Sequence, residues 1–228
     1  MSNDNDHLKS LYPFLHGSEK DPASEQQALL NSVQQKAAHS LDVKQKFFDT
    51  HGEALIEAAR AVAGVYLNKG RMFSMGNGGS SCDAAHFAVE FQHPVTAGRP
   101  ALPATNLCVD TAVMTAVGND VGMEHIYLRQ LDAHGKAGDG LMGFSTSGNS
   151  ANLLAAYRKA KELGIVTLGL AGGSGGDMKN SGLVDHCLVV DTDSIHRVQE
   201  VHVACYHILW DLVHTLLADH RGKLGAQS

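Results

Sequence analysis

Basic residues are too scarce in this chain for it to face a nucleic-acid backbone. Lys and Arg number 18 against 24 Asp and Glu, a net charge of −6 with histidine neutral, and no basic patch stands out along the sequence. Cys-x-x-Cys pairs are also missing. Cys82, Cys108, Cys187 and Cys205 are scattered, three of them among apolar neighbours, which reads as reduced thiols of a cytoplasmic protein. No apolar run is long enough to span a bilayer. The opening Met1-Ser2-Asn3-Asp4-Asn5-Asp6-His7 is polar and acidic, where a secretion signal is basic and then apolar. Two nucleotide signatures are lacking as well: no Lys-Ser/Thr follows a glycine-rich loop, and the first such loop lacks the three-glycine spacing of a dinucleotide fingerprint. The chain is therefore expected to be cytoplasmic, with neither a membrane nor a nucleic acid as direct partner.

What the sequence does contain is one design used twice. Arg71-Met72-Phe73-Ser74-Met75 reads as a buried strand and runs into Gly76-Asn77-Gly78-Gly79-Ser80-Ser81; Gly140-Leu141-Met142-Gly143-Phe144 runs into Ser145-Thr146-Ser147-Gly148-Asn149-Ser150. Glycine lets the backbone turn sharply and approach a ligand, and hydroxyls with free amides at a helix N-terminus favour an anion. Both turns suit a phosphorylated small molecule. Behind the first, His86 and Glu90 stand four residues apart, which puts an imidazole and a carboxylate side by side on one helical face.

Length and composition fit one sizeable domain with extensions. Residues 1–25 read as a flexible arm, 26–220 as the domain with its N-terminal helices, and 221–228 as a loose tail. Apolar residues at helical intervals predict helices over Ser24 to Asp49 and Gly52 to Asn68, ahead of the first strand. Beyond it, helices and strands alternate. Strands are expected at 104–108, 166–171 and 187–190, helices at 82–91, 111–117, 123–134, 152–163 and 195–218. Such a chain builds an α/β three-layer sandwich with a parallel sheet between helix layers, and ligands collect at the carboxyl ends of its strands.

Four ordered strings carry a resemblance: Gly76-Asn77-Gly78-Gly79-Ser80 with Asp83 and His86-Phe87-Ala88; Gly118-Asn119-Asp120; Ser145-Thr146-Ser147-Gly148-Asn149-Ser150; and Val198-Gln199-Glu200-Val201-His202 with His207. Together they resemble the sugar isomerase domain proteins and, within them, the phosphoheptose isomerases, from about Lys36 to Leu217. The resemblance implies a five-stranded parallel sheet flanked by helices, N-terminal helices used for oligomerisation, and a homotetramer with sites at subunit interfaces. It implies aldose–ketose isomerisation of sedoheptulose 7-phosphate to glycero-manno-heptose 7-phosphate, toward lipopolysaccharide heptose. Glu90 would then move the carbon-bound proton and His207 the oxygen-bound ones. Ser145, Thr146, Ser147 and Ser150 would hold the phosphate, with Asn77, Gly78, Ser80, Asn119, Asp120 and Gln199 at the sugar. One zinc ion would be bound by His86, Glu90, Gln199 and His207.

Spacing alone leaves alternatives open. Gln199 and His207 lie about 12 Å apart along a helix axis, whereas His207, Asp211 and His214 share one face and form a rival triad. His86 and Glu90 also read as an ordinary surface pair. Where many phosphoheptose isomerases carry an arginine four residues after the glutamate, Pro94 stands here, with His93 or Arg99 as substitutes. His196 replaces an acidic residue three before the glutamine. A non-catalytic scaffold resembling the initiator-associating protein that bridges DnaA molecules, and an isomerase or sensor of another sugar phosphate, are the competing functions. Retention of Glu90 and His207 favours an enzyme.

Overall fold

The computed structural model describes residues 22–220. Of the arm expected over residues 1–25, the first 21 fall outside this range, as does the 221–228 tail; Pro22 already opens a helix. The chain divides into two compact units, residues 1–41 and 42–228. In the first, every described residue is helical and none is buried, and Leu29, Leu30, Val33 and Leu41 are exposed. No helix among the described residues is long and apolar enough to cross a membrane.

In chain order the elements are α1 (Pro22–Leu67), β1 (Met72–Gly76), α2 (Gly79–Gln92), β2 (Ala104–Asn106), α3 (Thr111–Asp120), a 3-10 turn (Met123–His125), α4 (Ile126–His134), β3 (Gly140–Ser145), α5 (Ala151–Leu163), β4 (Val166–Gly172), α6 (Gly176–Asn180), β5 (His186–Val190), α7 (Ile195–Leu216) and a last 3-10 turn (Ala218–His220). One expectation fails at the start. The two helices expected before β1 are the single helix α1, which continues through Gly52. A helical glycine costs only about 1 kcal/mol, and the turn before it is tied down. Thr50 Oγ1 donates to the Lys46 carbonyl (2.8 Å), and His51 packs its ring on Phe47 at 4.7 Å. The short helix α6 was not expected either.

The five strands are all parallel, in the order β2-β1-β3-β4-β5. Alternate residues of each strand enter two separate cores. Met72, Met142, Phe144, Leu168, Leu170, Leu188 and Val190 join α1, α2 and α7 on one face. Phe73, Met75, Leu141, Ala171 and Val189 join α4, α5 and Met178 of α6 on the other. Both faces of the sheet are thus apolar and covered, which is the three-layer sandwich expected for strands that read as continuous apolar runs. The helix after β1 lies on one face and the helix after β3 on the other. The order of connection therefore reverses between these two neighbouring strands, and in open sheets of this kind ligands bind outside the carboxyl ends at such a point. The two glycine- and serine-rich turns leave from that point.

Close packing at the centre of the sheet rests on two strand glycines. A Cβ on Gly143 would fall 2.2 Å from the Tyr157 hydroxyl and one on Gly169 3.1 Å from it, while that hydroxyl donates to the Leu168 carbonyl at 2.6 Å. Tyr157 is fully buried. Gly143→Ala is expected to destabilise the fold by about 1–3 kcal/mol through overpacking, read as a lower urea midpoint with unchanged slope; an unaltered midpoint would mean that Tyr157 yields freely.

Candidate active site

Helix α2 begins at Gly79 without a side-chain cap, Gly78 taking φ 55° and ψ −124°. A Cβ on Gly79 would lie 2.3 Å from Gln199 Nε2, so the glycine lets α7 close on the first turn of α2. Two turns further on, the same pair of helices brings three donors together. His86 Nε2 lies 3.0 Å from Glu90 Oε1 and 3.4 Å from His207 Nε2. One ligand atom from each of His86, Glu90 and His207 falls within 4.8 Å of the others, the only such group of His, Cys, Asp or Glu among the described residues. The Tyr206 hydroxyl is 2.8 Å from His86 Nδ1 and fixes the ring from its far side. Because a phenol both donates and accepts, it serves either imidazole tautomer.

The electrostatics follow from partial burial. His207 is held below the usual histidine range by burial and then by His86, with Glu90 and Asp211 pulling the other way; near neutral pH its imidazole is neutral and able to accept a proton. Burial first, then the Asp83 and Glu90 carboxylates, push the Tyr206 phenol well up, so it keeps its proton. Asp83, on the turn before His86, is raised to about 6 by burial against the pull of His86. Its Oδ2 is enclosed without a hydrogen-bond partner.

The second turn is organised from within. Ser145 is buried; its hydroxyl accepts the Gly148 N–H (3.1 Å) and lies 3.1 Å from Ser150 Oγ. Gly148 needs its positive φ of 67°, and a Cβ there would strike the Gly175 carbonyl at 2.0 Å. Ser147 is exposed, and Thr146 and Ser150 are half-exposed. Ser150 is the N-cap position of α5 without capping it through its side chain. The two turns are joined to each other. Asn77 and Asn152 exchange amide hydrogen bonds of 2.9 and 2.8 Å, and the Tyr127 hydroxyl donates to the Gly76 carbonyl at 2.5 Å.

The remaining expected site residues divide. Gln199 sits against Gly79, beside the first turn of α2. Ser80 is buried, Gly78 is exposed, and Asn119 and Asp120 end α3 in exposed positions, bonded to each other at 2.8 Å. The rival triad does not form: His214 is fully buried against Phe91 and Trp210, while Asp211 pairs with Arg99 at 2.7 Å. Sequence reasoning missed Asn152, Tyr127, Tyr206 and Trp210. Only Tyr206 carried a signal, as the inward-facing neighbour of His207 on an amphipathic helix.

A parallel sheet of this order, with two hydroxyl-bearing turns at its switch point and an imidazole–carboxylate cluster on the helix that leaves one of them, defines a sugar isomerase (SIS) domain protein; the SIS domain family matches residues 37–172. Phosphoheptose isomerase from a Roseiflexus species is 39% identical over 178 residues, 78% of this chain and 89% of the relative. That from Helicobacter pylori is 43% identical over 183 residues, covering 75% and 94%. The solved phosphoheptose isomerase from Francisella tularensis superposes with a TM-score of 0.78 at 33% identity, over 82% of this chain and 98% of that one. The chain belongs to the phosphoheptose isomerase family of SIS domain proteins.

One histidine of α7 tests how tightly this region is packed. His202 is fully buried, with Nε2 3.4 Å from the Ala171 carbonyl and Nδ1 unpartnered; burial pushes it down to about 4, against the Ala171 carbonyl. An unfolded histidine titrates near 6.5, so between these values the unfolded chain takes up a proton that the native state refuses. Stability is expected to fall as pH drops from about 6.5 to 4, by up to about 3 kcal/mol from this group. His202→Phe should remove that loss. Urea titrations at neutral and acid pH check it, and equal losses in both proteins would mean that the protonated ring finds a partner.

Proposed function

We propose that the chain interconverts sedoheptulose 7-phosphate and D-glycero-D-manno-heptose 7-phosphate, in the cytoplasm, for the heptose of lipopolysaccharide. The observation that carries this reading is the convergence of Glu90 and His207, from two helices, on His86 in a single cluster. Aldose–ketose isomerisation needs one group to move a proton between C1 and C2 and another to move protons between O1 and O2. The Glu90 carboxylate takes the proton from C1 of the ketose and returns it to C2 of the enediol. The neutral His207 imidazole, exposed enough to reach substrate, protonates O2 and accepts the proton of O1. The hydroxyls of Thr146, Ser147 and Ser150 and the amides opening α5 hold the phosphate, with Ser145 shaping the turn from beneath. Asn77 ties the two turns, leaving Gly78, Gln199, Asn119 and Asp120 for the sugar.

Two imidazoles and a carboxylate suit zinc, and three protein donors leave a position open. His86, Glu90 and His207 would hold the ion, and when bound it would stabilise negative charge developing on the adjacent sugar oxygens. Tyr206 favours this by accepting the Nδ1 proton of His86 and leaving Nε2 free. A homotetramer with sites shared between subunits is supported by unpartnered apolar surface: α3 has no buried residue, and Val89, Val109, Val121, Met123 and Ile195 are exposed. Pro94 and His196, which depart from the phosphoheptose isomerase pattern, favour one second reading, an isomerase of a different sugar phosphate.

Glu90→Gln is expected to lower turnover of sedoheptulose 7-phosphate by at least about 100-fold while calorimetric binding of the sugar phosphate stays within a few-fold; unchanged turnover would remove Glu90 as the base. Ser147→Ala with Ser150→Ala should weaken binding by about tenfold or more, and equal affinity would place the phosphate elsewhere.

A further inference from the structure

We propose that Trp210, braced by Arg99, is a positioning residue for Glu90: its indole N–H takes over a backbone carbonyl that Pro94 leaves without a helical donor. The inference rests on Glu90 acting as the base. In an α-helix the carbonyl of residue 90 accepts from the N–H of residue 94, and proline has none. Proline also pushes the residue before it out of the helical region, and His93 sits at φ −135° and ψ 71°. The last carbonyls of α2 must then find other partners. Val89 accepts from the His93 N–H at 2.8 Å and Phe91 from the Leu102 N–H at 2.8 Å. Glu90, between them, accepts from Trp210 Nε1 at 2.9 Å. The bond crosses from α7 to the backbone of the residue that carries the reactive carboxylate, three positions beyond His207.

Trp210 is itself fixed. The Arg99 guanidinium lies over its ring, 4.2 Å from the centroid, and is held there by Asp211 at 2.7 Å. Stacking a cation on an indole that is shielded from water adds to the ring's immobilisation, and the Arg99 side chain is only 16% exposed. Its Nη1 is buried without a hydrogen-bond partner, so the Trp210 face and Asp211 are what retain it. Pro94, Arg99, Trp210 and Asp211 thus form one device: the proline opens a gap at the end of α2, and α7 closes it at the level where Glu90 meets His86 and His207. A carboxylate that must approach a carbon-bound proton tolerates little displacement, and this anchor sets where its backbone stands.

The test separates anchoring from packing. Trp210→Phe keeps an aromatic ring and removes the N–H. It is expected to lower kcat on sedoheptulose 7-phosphate by about 10- to 100-fold, with KM within about twofold. Adding Pro94→Ala restores a backbone donor at residue 94, and the double variant should recover most of the lost kcat. Full activity in Trp210→Phe, or a loss that Pro94→Ala fails to rescue, overturns the proposal. Amide exchange over residues 89–93 reads the anchor without any substrate: it should accelerate in Trp210→Phe and slow again in the double variant. Unchanged exchange in Trp210→Phe overturns the anchor whatever the wild type does with heptose phosphates, while a wild type that turns over no heptose phosphate counts against the isomerase reading alone.

Discussion

The contact between the Tyr206 hydroxyl and His86 Nδ1, at 2.8 Å, joins the two helices that carry the His86, Glu90 and His207 cluster. Helix α2 supplies His86 and Glu90, and α7 supplies His207; neither helix alone presents more than a pair. Helices pack at a distance set by the side chains between them, and here a tyrosine, two histidines and a tryptophan fill that seam. Gly79 permits close approach at one end, where Gln199 covers it. Trp210 bonds α2 at the other. Tyr206 stands midway, stacked edge-on to Phe144 of β3 at 5.8 Å, so the seam is referenced to the sheet as well.

The two glycine- and serine-rich turns belong to different strands and lead into opposite helix layers. That they act as one surface depends on the paired amides of Asn77 and Asn152. A reciprocal amide pair satisfies a donor and an acceptor on each side and leaves no freedom to rotate, which suits a place where two chain segments must keep a fixed separation. Tyr127 extends the tie from the opposite layer, reaching the Gly76 carbonyl from α4. Groups from both helix layers therefore meet at the switch point.

The sheet was legible because its strands are apolar on both faces, and strand and helix boundaries fall within a few residues of those read from periodicity. Both turns and the His86–Glu90 pair were legible for a similar reason, since each is local in sequence. Contacts that bridge long separations were not. Nothing near Asn77 announces Asn152, 75 positions away, and nothing near Glu90 announces Trp210, 120 away. Helix α1 passes through Gly52 because its flanking side chains bond back onto the helix, a compensation that composition hides. Spacing sets Gln199 and His207 eight residues apart along one helix. It could not say that Gln199 would be taken up by the glycine opening α2.

The charge pattern gives the site its direction. Asp83 and Glu90 are carboxylates two turns apart on α2, and among the described residues neither is paired with a lysine or arginine. His86 is the neighbour that pulls on both, 3.0 Å from Glu90 and, against the burial that raises the Asp83 carboxyl, drawing it down, while burial holds His207 toward its neutral form and Tyr206 in its protonated one. Two partly desolvated carboxylates with so little positive charge near them are costly, and a cation among His86, Glu90 and His207 would relieve that cost. On the proposed reading the phosphate of the substrate would lie away from these carboxylates, at the amides and hydroxyls of the Ser145–Ser150 turn.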